Sequence, residues 1–239
     1  MSFPSHPRPT LLTFDCYGTL IDWDSALRRY VADVIAAKGL SVSAADFYQT
    51  WYYQHALPML AGPFKLYRQL LKDSLQDALR SYSANVVASD GDGFGDAMTE
   101  AEPFPDTLGF LHQVAPHFRL GIISNSQDDI ISHAVKRMND LFDLVITAET
   151  TRAYKPAPDL FELILTRAGV SAGNTVHIAQ SQYVDLPRSV PMGMRTIWIN
   201  RNAQTLKVGT PEPQAVLPDL RGVSRLLGVT DQSEPQADA

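Results

Sequence analysis

The chain has one cysteine, Cys16, in 239 residues. No intrachain disulfide can form, and a reducing compartment fits. No apolar run is long enough to cross a bilayer. Basic runs are missing too: 20 Lys and Arg stand against 26 Asp and Glu, for a formal net charge of -6. That balance argues against a nucleic acid partner. The opening "MSFPSHPRPT" has prolines but no apolar stretch and does not read as a secretory signal. The six histidines, His6, His55, His112, His117, His133 and His177, show no metal-ligand spacing, and no internal repeat is visible. These absences lead us to expect a cytoplasmic, soluble protein with neither a membrane nor a nucleic acid partner.

The composition is ordinary for a globular protein, 45% hydrophobic and 19% charged. The length suits one large domain or a domain with an insertion. "TLLTF" (Thr10–Phe14) is short, apolar and bounded by turn signals, as a buried parallel strand is. The pattern then turns helical. "SALRRYVADVIAAKGL" ends in Gly39, a C-cap, and "SAADFYQTWYYQHAL" begins with Ser43 as N-cap. "FKLYRQLLKDSLQDALRSY" is amphipathic, and "SDGDGFGD" (Ser89–Asp96) reads as a flexible acidic loop. Strand signals return in "LGIIS", "LFDLVITAE", "NTVHIAQ" and "RTIWIN", alternating with the helical "DTLGFLHQVAPHF", "DLFELILTRAGV" and "DLPRSVPMGM". This order predicts a doubly wound α/β core with a parallel sheet, interrupted by a helical insertion. The division expected is a Rossmann-like core over 8–24 and 101–228, a helical cap over 25–100, and a disordered tail over 229–239.

Ligands of such sheets bind beyond the carboxyl ends of the strands. Asp15, Ser124, the stretch from Gln180 to Asp185, and the loop carrying Lys155 all fall there. For each, two readings stand. Asp15 either caps the turn opened by Gly18 or is a nucleophilic carboxylate with the Thr19 hydroxyl beside it. Lys155, in "AYKPAPDLF", is either a surface lysine before a proline turn or the cation that keeps Asp15 ionised. Ser124 and Asn125 are either a helix cap or an anion site made of a hydroxyl and backbone N–H groups. Asp185 either caps the helix starting at Leu186 or lies beside Lys155 and Asp15, holding a water. His177, inside a strand, reads as a packed core residue. Cys16 should point away from Asp15, because side chains alternate along a strand. Trp51, Tyr52, Tyr53 and Tyr67 form an aromatic group in the insertion, some of them lining a pocket together with Trp23.

Four segments in chain order, "DCYGTL", "IISN", "YKPAPDLF" and "HIAQSQYVD", resemble the haloacid dehalogenase superfamily of hydrolases. Where phosphatases of that superfamily carry Asp-x-Asp, this chain has Tyr17, a poor general acid near neutral pH. With Val184 beside Asp185, the acidic motif also looks under-supplied for Mg²⁺. Asp-x-Tyr-Gly-Thr, "WINR" (Trp198–Arg201) and "AQS" resemble the metal-independent L-2-haloacid dehalogenase branch. The resemblance implies no cofactor, a small carboxylic acid substrate and a possible homodimer. Asp15 would attack C2 and form an ester, Lys155 and Thr19 would orient it, and Ser124 would hold the substrate carboxylate. Asp185, with Ser181 or Gln182, would position the water. Tyr17, Asn125, Tyr52 and Trp23 complete the implied substrate site. Three departures stand out. The cap arginine of dehalogenases aligns with Tyr52, leaving Arg68 or Lys65 as substitutes. Phe161 stands where the family has a tyrosine. The Ser-x-Asn pair of the acidic motif is Gln180 and Gln182. The alternatives are a Mg²⁺-dependent small-molecule phosphatase and a catalytically weak binding protein.

Overall fold

The computed structural model describes residues 8–229. Six strands form one parallel sheet: β1 (Leu11–Phe14), β2 (Arg119–Ser124), β3 (Leu144–Thr147), β4 (Thr175–Ala179), β5 (Arg195–Ile199) and β6 (Ala215–Leu217). Their order is β3-β2-β1-β4-β5-β6. The chain reverses direction across the sheet between β1 and β4, which opens a crevice at their carboxyl ends. β6 went unread in the sequence because it has three residues and leaves Val216 52% exposed, so it lacks the apolar signature of a buried strand.

Alternation along β1 divides its side chains between two cores. Leu12, Phe14 and Cys16 join Leu120, Ile122, Val176, Ile178 and Ile197 on one face. The opposite face is packed by Ile123, Ile146, Phe161 and Ile164. Cys16 therefore lies in the core, where burial pushes its thiol well above the usual cysteine range.

Between β1 and β2 lies the helical block. Its first helix, Trp23–Lys38, starts two residues before the expected boundary because Asp22 caps it, accepting from Ser25 N. It ends at Gly39 in the left-handed conformation at φ 64, which glycine adopts without Cβ strain. Ser43 caps the next helix, Ala44–Thr50, by accepting from Asp46 N. That helix widens into a π-helical turn over Trp51–Ala56, which presents Tyr52 and Tyr53 to the core. The amphipathic helix Tyr67–Ser81 follows. Leu27, Val31, Phe47, Trp51, Leu71, Leu75 and Phe94 make a separate hydrophobic cluster, tied to the core through Ile130.

The expected flexible loop at 89–96 is instead fastened. Phe94 opens a helix, Phe94–Thr99, and its buried ring stacks on Tyr30 at 5.1 Å. Asp90 pairs with Lys38 at 2.7 Å, Asp96 with Arg68 at 2.6 Å, and Asp92 pairs with Lys72. The acidic run reads as loose because its partners lie on distant helices. The stretch "DLPRSVPMGM" forms only one helical turn, Leu186–Ser189. Val229 is buried against the main core, and the expected tail from 230 onward lies outside the described residues. Among the described residues, no helix is long and apolar enough to cross a membrane.

Candidate active site

Asp15 is the first residue beyond β1, and its N–H donates to Ile178 O of β4 at 3.1 Å. The chain then turns sharply: Leu20 N donates to Cys16 O at 2.8 Å and Gly18 N to Ile21 O at 2.8 Å. Gly18 has φ +90, and a Cβ there would stand 3.3 Å from Gln180 Oε1 and 3.4 Å from Trp23 Nε1. Glycine is thus required both by conformation and by space. This turn brings Thr19 back onto Asp15. The Thr19 hydroxyl donates to Asp15 Oδ2 at 2.7 Å and accepts from Gln180 N at 2.8 Å. Behind the turn, Arg201 donates to Thr19 O at 2.8 Å and pairs with Asp106 at 3.0 Å.

Lys155 is 1% exposed, so the surface reading does not hold. Its ammonium donates to Asp15 Oδ1 at 2.7 Å, Asp185 Oδ1 at 2.8 Å and Ile123 O at 3.1 Å. All three hydrogens are thereby used. Asn125 fixes this loop, with its Oδ1 accepting from Lys155 N at 2.6 Å. Asp185 stands at a helix start but makes no cap hydrogen bond; its side chain turns inward to Lys155 and His177.

Two carboxylates share one ammonium, and their proton affinities separate. Burial pushes the Asp15 carboxyl above the usual aspartate range, against the pull of Lys155. Burial acts on Asp185 the same way, but Lys155 and a hydrogen bond from His177 outweigh it and hold Asp185 low. The same two carboxylates keep Lys155 above its ordinary value despite burial.

A cavity of about 60 Å³ opens at Asp15. Its core wall is Asp15, Lys155, Ser124, Asn125, Ser126 and Ser181; Trp23, Tyr52, Leu60 and Tyr67 come from the helical block. Ser124 is no helix cap: Gln127 holds that position, and Ser124 Oγ accepts from Ser126 N at 3.3 Å. Tyr17 also lines the cavity, and its hydroxyl donates to Ile130 O at 3.4 Å. Burial pushes this phenol well above the usual tyrosine range, so it stays neutral. Trp23 and Tyr52 meet edge to face at 5.8 Å. Beyond Trp23, Tyr52 and Gln180 lies a second cavity of about 400 Å³ between the helical block and the core.

Two expectations need correction. Gln182 does not face Asp15: its amide donates to Gln204 Oε1 at 3.1 Å and Thr205 O at 3.2 Å and accepts from Lys207 N at 2.8 Å. Ser181 lines the cavity, and its hydroxyl accepts from Tyr183 N at 3.2 Å and Val184 N at 3.3 Å, closing the turn. Neither Arg68 nor Lys65 supplies a cation there: Arg68 is bound to Asp96 and Asp129, Lys65 to Asp73.

His177 is more than packing. Its Nε2 lies 3.0 Å from Asp185 Oδ1, and its Nδ1 lies 2.9 Å from Thr13 Oγ1. The signal lay in the alternation: Thr13 and Asp15 share one face of β1, and His177 is the register partner of Thr13. Ser126 and Leu60 also went unread: Leu60 is of a type that carries no chemistry, and Ser126 lies one residue past the "IISN" segment.

The donor set does not fit Mg²⁺. Among the described residues no group of three or more His, Cys, Asp or Glu side chains is placed to hold a metal ion. The two carboxylates that meet at Asp15, those of Asp15 and Asp185, are bridged by Lys155, and position 17 offers a neutral phenol. What the arrangement supplies is an oriented, buried carboxylate facing a small cavity, which is the equipment of covalent catalysis.

Comparison with known proteins gives the following. A family described as haloacid dehalogenase-like hydrolase matches residues 9–186. (S)-2-haloacid dehalogenase 4A of Burkholderia cepacia is 28% identical over 191 residues, covering 79% of this chain and 81% of that protein. (S)-2-haloacid dehalogenase 1 of a Pseudomonas species is 23% identical over 217 residues, covering 89% and 91%. The solved structure of the L-2-haloacid dehalogenase RSc1362 superposes with a TM-score of 0.81 at 24% identity, covering 92% of this chain and 99% of that one, a likeness of fold.

Proposed function

Because this chain belongs to the haloacid dehalogenase-like hydrolases, we propose that it hydrolyses a small 2-substituted carboxylic acid without a metal, Asp15 attacking C2. The observation that carries this reading is the grip on Asp15. One oxygen is held by Lys155 at 2.7 Å and the other by Thr19 at 2.7 Å, at the edge of a cavity of about 60 Å³. Holding a nucleophile at an attack distance can supply about 7–11 kcal/mol of the barrier.

In the first step an Asp15 oxygen bonds to C2, and the bond to the substituent breaks with its electron pair leaving on the halide. Configuration at C2 inverts. The halide needs no proton, so the neutral phenol of Tyr17 suffices where a phosphatase has an acid. The Ser124 hydroxyl still has its hydrogen to give, and it receives the substrate carboxylate. In the second step water adds to Cγ of the Asp15 ester, while Asp185, which does not line the cavity, holds Lys155 beside that ester. The 2-hydroxy acid leaves, and the Asp15 carboxylate is regenerated.

The test is halide release from L-2-chloropropionate in excess EDTA, with Asp15→Asn beside the wild type. Release by the wild type alone is expected. Release that EDTA abolishes, or that Asp15→Asn retains, would overturn the reading. If the wild type releases none, a halide substrate is excluded and non-halogenated small acids become the next candidates.

A further inference from the structure

Asp15 faces a cavity of about 60 Å³, room for about four to six waters. That seats the reacting end of a small acid but no ring. The cavity beside it, of about 400 Å³, falls within the roughly 300–1,000 Å³ of ligand pockets. Trp23, Tyr52 and Gln180 line both and form the neck between them. The backbone of Gln180 is pinned there: its N–H donates to Thr19 Oγ1 at 2.8 Å, and its carbonyl accepts from Trp198 Nε1 at 2.7 Å. Its side-chain amide, the Trp23 indole N–H and the Tyr52 hydroxyl have no hydrogen-bond partner among the described residues. Trp23 and Tyr52 meet edge to face at 5.8 Å, so moving them apart breaks no hydrogen bond.

Past the neck the wall is aromatic. Tyr52 meets Tyr53 at 4.9 Å and 81°, and Tyr53 meets Tyr183 at 5.8 Å and 67°. With Trp23 and Tyr52 at 79°, four rings run outward in near-perpendicular succession. A ligand ring can extend that series by the same edge-to-face contact. The charges around this cavity already have partners. Asp22 accepts from Ser25 N and Oγ. Asp24 accepts from the Tyr48 hydroxyl and lies 3.7 Å from Arg28, which stacks over the Tyr48 ring at 4.5 Å. Arg201 pairs with Asp106 at 3.0 Å. This lining favours an uncharged occupant.

Resting on the reading of Asp15 as nucleophile, we propose that the substrate is a 2-substituted acid whose C2 side chain carries an uncharged aromatic ring, and that the larger cavity seats this ring. The carboxylate, C2 and the leaving group occupy the small cavity. The side chain passes Gln180 between Trp23 and Tyr52, and its ring lies against Tyr53 and Tyr183. The bonds made and broken at C2 are those already described. The ring adds binding remote from the reacting atoms, which raises kcat/KM.

The experiment compares chloride release from L-2-chloropropionate and L-2-chloro-3-phenylpropionate. Beside it, calorimetry measures binding of the unreactive products L-lactate and L-3-phenyllactate to the same wild-type protein. We expect the phenyl compound to lead by roughly 10-fold to 100-fold in both measurements, the value of burying a phenyl-sized group. Tyr53→Ala removes the middle of the ring series and should bring both ratios down toward one. If that variant does not fold, Tyr183→Leu takes its place with the same expectation. A phenyl compound that binds and reacts no better than its methyl counterpart overturns the proposal. So does a lead that Tyr53→Ala retains, or a variant that weakens both compounds alike, which would make the cavity a route and not a seat. The two layers separate cleanly. Chloride released from L-2-chloropropionate, with L-3-phenyllactate bound no tighter than L-lactate, sinks the ring seat and leaves Asp15 as nucleophile. No chloride from either compound, with L-3-phenyllactate still favoured through Tyr53, sinks the chemistry at C2 and leaves the seat.

Discussion

On the core side of the Asp15 cavity, charged groups are matched atom to atom. Lys155 spends its three hydrogens on Asp15, Asp185 and Ile123 O, and Asn125 and Thr19 fasten the two loops that meet there. On the side of the helical block, Trp23, Tyr52, Tyr67 and Leu60 present rings and an aliphatic chain, and none carries a charge. The core wall stands on strand ends tied into a parallel sheet. The other wall includes a π-helical turn at the top of a separate hydrophobic cluster. Chemistry that must keep sub-ångström geometry sits on the stiffer support, and the surface that selects a substrate sits on the part that can be rebuilt without disturbing the sheet.

The sharpest test of that division is Lys155→Met, which leaves two buried carboxylates without their cation. Breaking such a buried pair costs about 3–5 kcal/mol, because the remaining charge is unpaired. Urea unfolding at neutral pH should show a loss of that size, and activity should disappear. Without the lysine both carboxyls shift upward, so their ionisation opposes folding above the shifted values and not below the unfolded ones. The destabilisation should therefore shrink as pH falls toward about 4, near the reference value for aspartate. A loss independent of pH would mean that Lys155 contributes packing alone.

The wild type carries its own pH signature. Asp15 must be ionised to attack, and burial raises its carboxyl above the ordinary range. The acid limb of kcat/KM should therefore fall above about 3.9, the reference aspartate value. Asp185 has the opposite sign. Held low by Lys155 and His177, it contributes stability that is fully present above the ordinary carboxylate range and lost as pH falls through its depressed value. Activity should thus fail on acidification before the contribution of Asp185 to stability does. Coincident losses would mean that the two carboxyls titrate as one.

How far the sequence revealed this follows from the same division. The strand ends were readable because a polar residue closing a short apolar run is a local signal, as at Asp15 and Ser124. The parallel, doubly wound sheet followed from alternation of strand and helix, whereas its strand order did not. What stayed hidden depended on distance along the chain. His177 reads as core until Thr13, 164 residues away, is set beside it. Asp185 reads as a cap until Lys155 draws it inward, and the acidic run at 89–96 reads as loose until Lys38, Lys72 and Arg68 reach it. Gln182 was misjudged because counting along a motif gives a position but no direction, and its amide is taken by the segment at 204–207.

The aromatic wall should answer more gently. Tyr52→Phe removes one hydroxyl from a neutral surface, and a single hydrogen bond is worth about 1 kcal/mol net. We expect kcat/KM for L-2-chloropropionate to fall roughly fivefold to tenfold, with the urea midpoint unchanged. A loss as large as that of Lys155→Met would show that the phenol works on the leaving group as strongly as a charge, and the contrast between the walls would collapse.

The smallest effect belongs to the ion pairs outside both walls. Arg68 joins Asp96 and Asp129, linking the helical block to the helix Asp128–Arg137 of the core, with its side chain 33% exposed. Pairs this wet contribute about 0–1 kcal/mol. Arg68→Ala should lower stability by about that much in low salt and less in high salt, since screening already weakens the pair. Its effect on kcat should be nil, because Arg68 does not line the cavity. A fall in kcat that grows with salt in the wild type, and is already present in Arg68→Ala, would instead mean that this pair holds the aromatic wall over Asp15. The two walls would then be one device, and the block's distance from the core would belong to the chemistry.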